Sequence, residues 1–132
     1  VEWPTPQALF DELHAEFCFT TDVAATSENA KCEHYYTQEQ DGLKQDWRGV
    51  CWMNPPYGRA MVDWLKKAIR ETWNGTTTVC LIPARTNTAW WHDLCQKYGE
   101  VRFVRGRPKF GGADHGLPQP LAIVVFRGRP QL

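Results

Sequence analysis

The sequence predicts an α/β fold with a mostly parallel sheet, and three observations carry that expectation. Strand-like runs alternate with helical periodicities through the middle of the chain, from Val50 to Tyr98. The run Thr77 to Ile82 is continuous and apolar enough to be a strand covered on both faces. The chain then finishes on two strand-like runs, Val101 to Val104 and Leu121 to Phe126, joined by a long loop. Such alternation is what helices packed on a parallel sheet require.

Each element has a local reason. Thr5-Pro6 reads as a helix start, with threonine as N-cap and proline at the first helical position. Leu9, Phe10, Leu13 and Phe17 then recur at helical spacing, which predicts an amphipathic helix of about three turns. Phe19 to Ala24 reads as the first strand, Thr26 or Ser27 as the cap of a short turn through Asn29 and Lys31, and His34 to Tyr36 as a brief strand. Asp41-Gly42 is a turn signal inside the polar stretch Gln38 to Trp47. Val50 to Met53 is the central strand. Arg59 to Trp73 is the longest helix: Val62, Leu65, Ala68, Ile69 and Trp73 form its apolar stripe, Lys66, Lys67 and Arg70 its wet side, and Asn74-Gly75 its stop. Thr88 to Tyr98 is a further helix, stopped at Gly99. The loop from Gly106 to Pro120 is long for a domain of this size and carries Arg107, Lys109 and His115, and loops of that length are usually functional or mobile.

With 132 residues the chain reads as one domain, 1–132, large enough to bury a core. It holds no apolar run of about 18 residues and no signal-peptide pattern, so the expectation is a cytoplasmic protein with no membrane partner. The five cysteines show no Cys-x-x-Cys pairing and read as small core residues of a reduced protein. Cys32-x-His34 with His92-x-x-Cys95 matches no common zinc module, so no metal is expected. Net charge is zero, yet residues 1–49 carry three basic and ten acidic side chains while residues 99–132 carry six and two. That gradient orients a polyanion against the second half of the chain.

The densest chemical signal is Cys51-Trp52-Met53-Asn54-Pro55-Pro56-Tyr57-Gly58-Arg59, an apolar strand that stops at a polar residue, two prolines and an aromatic. Neither proline donates an N–H, and each holds φ and restrains the residue before it, so the loop is stiff. At the carboxyl end of a strand it lies where α/β sheets place ligands. One side-chain amide oxygen (Asn54) and one carbonyl (Pro55) accept both hydrogens of an exocyclic amine, while the Tyr57 ring stacks on the planar ring that bears it. A proline-rich turn with no ligand is the alternative for the tetrapeptide alone.

Asn54-Pro55-Pro56-Tyr57 resembles the signature of amino methyltransferases that use S-adenosylmethionine. Around it, Trp3-Pro4-Thr5-Pro6-Gln7, Asp22-Val23-Ala24-Ala25, Asn29-Ala30-Lys31-Cys32, Asp41-Gly42-Leu43 and Leu81-Ile82-Pro83-Ala84-Arg85-Thr86 fall in the order and approximate spacing of phage-type DNA N6-adenine methyltransferases. The likeness runs from about Trp3 to Phe126. The resemblance implies a compact Rossmann-like methyltransferase sheet whose last strand is antiparallel, a DNA substrate, and a phage or prophage origin in a bacterial cytoplasm, linked to restriction-modification, with host modification and protection from restriction both left open as the role. It also implies S-adenosylmethionine as cofactor, contacted by Thr5, Pro6, Asp22, Ala24 and Asp41, with no separate target-recognition domain; oligomeric state is left open. Larger methyltransferases have a glycine-rich turn beside the cofactor, whereas no glycine precedes Gly42 here; Asp22 and the small Ala24 and Ala25 have to do that work.

Catalysis on this reading is assigned to Asn54, Pro55, Pro56 and Tyr57, with Tyr57 acting through its ring face and not its hydroxyl. Alternation along Val101 to Arg105 puts Arg102 and Arg105 on opposite strand faces, so Arg105, Arg107 and Lys109 are the expected DNA contacts, to phosphates. Methylation of RNA adenine or of a protein glutamine, and a non-catalytic nucleic-acid-binding module, are the competing functions.

Overall fold

The structure, a computed structural model, describes residues 5–105 and 120–131. Helix α1 (Gln7–Phe17) leads into strand β1 (Thr21–Asp22), and β2 (His34–Tyr35) and β3 (Val50–Met53) follow. Helix α2 (Met61–Glu71) precedes β4 (Thr77–Pro83), a π-helical segment spans Trp91–Gln96, and β5 (Glu100–Phe103) and β6 (Leu121–Phe126) end the fold. One six-stranded sheet has the order β2-β1-β3-β4-β6-β5. The strands β2, β1, β3 and β4 are mutually parallel, and β6 is antiparallel to both β4 and β5. Five strands therefore share one direction and the last opposes them, as the resemblance implies.

Strand alternation sorts the core into two layers. On one face Cys51, Met53, Cys80, Ile82, Ala122, Val124 and Phe126 pack with Trp64, Leu65 and Ala68 of α2 and with Trp91 and Cys95 of the π-helical segment. On the other, Trp52, Val79, Leu81, Leu121, Ile123 and Val125 pack with Phe10 and Leu13 of α1 and with Phe19. Phe10 meets Trp52 edge-on with ring centroids 5.5 Å apart, a favoured aromatic geometry.

Several elements depart from the sequence expectation. The first strand pairs only over Thr21–Asp22, although Thr20 and Val23 still donate to Val50 and Trp52 of β3; the chain is then pulled off the sheet when Asp22 accepts the N–H of Ala24. Pro6, not Thr5, is the N-cap of α1, because the Thr5 hydroxyl is engaged elsewhere. Helix α2 starts at Met61 and buries Met61, Trp64, Leu65, Lys67, Ala68 and Glu71. Trp73, expected in the apolar stripe, is 59% exposed, with the Arg129 guanidinium 3.3 Å from its ring centroid. Lys67, expected in water, is buried because its ammonium donates to Glu71 at 2.8 Å. The helix ends in a 3-10 turn at Gly75, whose φ of 86° is left-handed, as a glycine stop provides. Among the described residues no helix is long and apolar enough to cross a membrane.

Candidate active site

Parallel pairing brings the carboxyl ends of β1, β2 and β3 to one edge of the sheet. From β1 the chain steps outward to β2 on one side and later returns to β3 on the other. That reversal opens a crevice between the ends of β1 and β3. A cavity of about 460 Å³ lies there, within the usual size of small-molecule sites. Asp22 at the end of β1 and Asn54 just past the end of β3 both line it, together with Thr5, Ala24, Asp41 and Pro56. Residues first separated by up to 49 positions thus share one wall.

Asp22 is 3% exposed. Its carboxylate accepts the N–H of Ala24 at 3.3 Å and that of Lys31 at 3.0 Å, which folds residues 23–31 over the cavity without a glycine-rich turn. Thr26 and Asn29 close the same loop by exchanging side-chain and backbone bonds, the turn expected from sequence. Burial pushes the Asp22 carboxyl up to about 6, against the pull of the two N–H donors. A buried carboxylate whose ionisation is costly gains most from a cation.

Asn54 Nδ2 donates to the Thr5 hydroxyl at 3.0 Å, tying the loop after β3 to Thr5, two residues before α1. Asp41 adopts φ 53° and caps the 3-10 turn Gly42–Lys44 by accepting the N–H of Leu43. Gly42 is the glycine that closes the pocket: a Cβ there would fall on the Val23 carbonyl oxygen and 2.9 Å from the Trp64 ring. Behind it, the Gly42 carbonyl accepts from the Trp47 indole at 2.8 Å, Trp47 stacks on Trp64, and the Lys67 ammonium lies 5.6 Å from the Trp47 ring centroid. Sequence reading missed this backing, since Trp47 lies in a segment read as loop, the apolar stripe of the long helix does not include Trp64, and Lys67 falls on that helix's wet side.

Of the other expected site residues, Pro6 is the cap of α1 and is not on the cavity wall. Pro55 is buried beneath the loop. Tyr57 is half-buried and packs against both core layers, off the cavity wall. Its hydroxyl donates to the Leu81 carbonyl at 3.2 Å, one residue beyond the last β3–β4 pair, Met53 with Cys80. The hydroxyl therefore prolongs the ladder after β3 has left the sheet, a role that the ring-face expectation omitted. Tyr57→Phe leaves that carbonyl without its donor; the expected cost is about 1–2 kcal/mol of stability, read as a lower melting temperature. A Tyr57→Phe variant as stable as wild type would show that the bond contributes nothing.

Arg105 is exposed two residues past β5, at the same sheet edge as the cavity. Arg102 faces elsewhere: its guanidinium forks onto Glu16 with both contacts at 2.7 Å. Arg107 and Lys109 lie outside the described residues. All five cysteines are free, with Cys51, Cys80 and Cys95 buried, Cys32 half-buried and Cys18 exposed, so the core reading fails for Cys18. Among the described residues no group of His, Cys, Asp or Glu is placed to hold a metal ion.

A sequence model of the family described as DNA N-6-adenine-methyltransferase (Dam) matches residues 2–120. The chain belongs to this family. Its relatives include the DNA N-6-adenine-methyltransferase of Escherichia phage T1, 33% identical over 105 residues that cover 77% of this chain and 44% of the relative. The enzyme of the same name from Haemophilus phage HP1 is 33% identical over 96 residues, 70% of this chain and 55% of the relative. A putative methyltransferase of Escherichia coli K12, YfdM, is 36% identical over 64 residues, 42% of this chain and 70% of the relative. The chain thus spans about half the length of the two phage enzymes. Membership in a methyltransferase family implies a methyl donor, and the cavity between β1 and β3 is where the fold offers room for one.

Proposed function

We propose that this chain transfers a methyl group from S-adenosylmethionine to the N6 amino group of adenine in DNA. The observation that carries the reading is that Asn54, from the stiff loop after β3, shares one cavity with the buried carboxylate of Asp22. The residues present fit the cofactor: Asp22 is an anion for its ammonium, Asp41 and Gln38 offer polar contacts, and Leu43, Tyr36 and Trp64 offer apolar wall for its adenine. When bound, S-adenosylmethionine supplies an electrophilic methyl on sulfur.

The chain's own residues then have distinct tasks. An aromatic amine is a poor nucleophile because its lone pair is delocalised into the ring. Asn54 Oδ1 and the Pro55 carbonyl accept the two amino hydrogens, which localises the lone pair and aims it. Thr5 holds the Asn54 amide in place from the cavity wall, so the geometry is set before substrate arrives, and positioning supplies much of the rate. Pro56 keeps the loop stiff, and the Tyr57 hydroxyl on the Leu81 carbonyl anchors the loop beside which a flipped base would sit. Of the expected DNA contacts, Arg105, exposed past the carboxyl end of β5, is the described cation offered to the phosphate backbone, and the basic Arg107 and Lys109 follow it in the chain.

Incubation with methyl-labelled S-adenosylmethionine and, in parallel, DNA, RNA or protein tests the reading. Label is expected in DNA as N6-methyladenine. Label in RNA or on glutamine alone would move the substrate, and a folded protein that binds cofactor and labels none of the three would overturn the catalytic reading.

A further inference from the structure

Strand β4 outruns its parallel neighbour. Its last pair with β3 is Met53 with Cys80, whereas β4 continues to Pro83, braced on its other side by the β6 pair of Pro83 with Leu121 and by the Ala84 N–H on the Pro120 carbonyl at 2.9 Å. The extended residues Leu81, Ile82 and Pro83 therefore rise above the end of β3 by about 10 Å. The Asn54 loop thus has the Asp22 cavity on its β1 side and this extension on its β4 side. At the tip the chain turns through a loop held by its own hydrogen bonds. The Arg85 N–H donates to the Pro83 carbonyl at 3.0 Å, the Arg85 carbonyl accepts from the N–H and the hydroxyl of Thr88 at 3.1 and 2.7 Å, and the Thr86 carbonyl accepts from the His92 ring at 2.7 Å. With these backbone groups occupied, the side chains of Arg85, Thr86 and Asn87 are exposed.

Arg85 has no ion-pair partner among the described residues, whereas Arg102 and Arg127 are held by Glu16 and Glu100. A guanidinium matches two oxygens of a phosphate, and a loop that is already stiff loses little freedom in binding one. A base delivered to Asn54 brings its own sugar and phosphates with it, because flipping rotates the nucleotide about its backbone. That backbone has to pass outside the cavity. The β1 side of the Asn54 loop is taken by the cavity, and the loops around β2 expose Glu28, Glu33 and Glu39, which repel a polyanion. We infer that the target strand passes on the β4 side, where Arg85 clamps a phosphate flanking the flipped nucleotide. The inference rests on the proposal that DNA is the substrate. Arg85 is a positioning residue, which holds the strand and touches neither the amine nor the methyl group.

Methyl transfer into unmethylated genomic DNA, measured against DNA concentration at several salt concentrations, tests it. Arg85→Ala is expected to raise KM for DNA by about 10-fold, the low end for a charge-assisted contact, and to keep kcat within about threefold of wild type. The plot of log KM against log salt should flatten by about 0.9, the loss of one phosphate contact. Arg85→Lys should keep the salt slope and recover part of the KM. Arg48→Ala, which removes the same charge from an exposed residue at the amino end of β3, should leave both near wild type. Because the Arg85 side chain is exposed, the melting temperature and the affinity for S-adenosylmethionine should not change in Arg85→Ala. A folded Arg85→Ala protein with wild-type KM and salt slope, a loss confined to kcat, or an equal weakening by Arg48→Ala would overturn this inference and leave the DNA reading standing. Wild-type protein that labels RNA or glutamine and not DNA would overturn both.

Discussion

Asn54→Ala is expected to lower methyl transfer to adenine in DNA by about 10²–10³-fold, the usual loss for one preorganised polar contact to a reacting group. Cofactor affinity should stay close to that of wild type, since the Asn54 amide donates to Thr5 and, in the proposed mechanism, holds the target amine, while the cavity keeps Asp22. Asn54→Asp should recover part of the rate, because a carboxylate still accepts an amino hydrogen, although it cannot donate to the Thr5 hydroxyl as the amide does. The measurement is a single-turnover rate beside a calorimetric affinity for each variant. An Asn54→Ala protein that transfers normally would remove Asn54 from the chemistry. One that loses cofactor binding as well would relocate its role to the cofactor.

Asp22→Asn should separate stability from binding. The folded carboxyl titrates near 6, above its ordinary 3.8, so the folded state takes up a proton that the unfolded state does not between those values. Stability from this group is therefore lower above pH 6 and is regained as pH falls toward 4, a span of about 3 kcal/mol by linkage. Asparagine carries no charge to bury but surrenders one of the two N–H acceptors. At pH 8 the variant should be more stable than wild type by about 1–2 kcal/mol, an advantage that shrinks below pH 6. Over the same range S-adenosylmethionine should bind the variant about 10–100-fold more weakly, and its affinity should lose the decline through pH 6 expected of wild type. Melting curves and calorimetry at pH 5 and pH 8 check both. A variant that is less stable at pH 8 and binds tightly would mean that Asp22 serves the loop and not the ligand.

The loop at Asn54 and the acidic residue at the first strand were legible because each is a local statement. Asn54-Pro55-Pro56-Tyr57 declares its stiffness through proline chemistry, and Asp22 lies in Phe19 to Ala24, a run that reads as strand. The partners of these residues were not legible. Thr5 read as a cap because a threonine before a proline is locally ideal for one, yet its hydroxyl accepts from Asn54, 49 residues away. Tyr57 read as a ring because nothing near it in sequence accepts its hydroxyl; the acceptor is on β4. Lys67 read as solvated because lysine is seldom buried unless paired, and its partner Glu71 lies one helical turn on, facing the same way into the core.

What the sequence by itself determined is the set of elements whose pattern is periodic or punctuated: the span of α1, the bounds of β3 and β6, the stop at Gly75 and the loop after β3. Period and turn chemistry act between neighbours, so neighbours suffice to read them. Tertiary structure alone decided which side chains close the cavity. Gly42 is a plain turn glycine until the Val23 carbonyl and the Trp64 ring press on it. Lys31 is a loop lysine until Asp22 takes its N–H and the Gln7 side chain accepts from its ammonium. Those contacts depend on the order in which parallel strands enter the sheet, and strand order is a property of long-range packing that no local window contains.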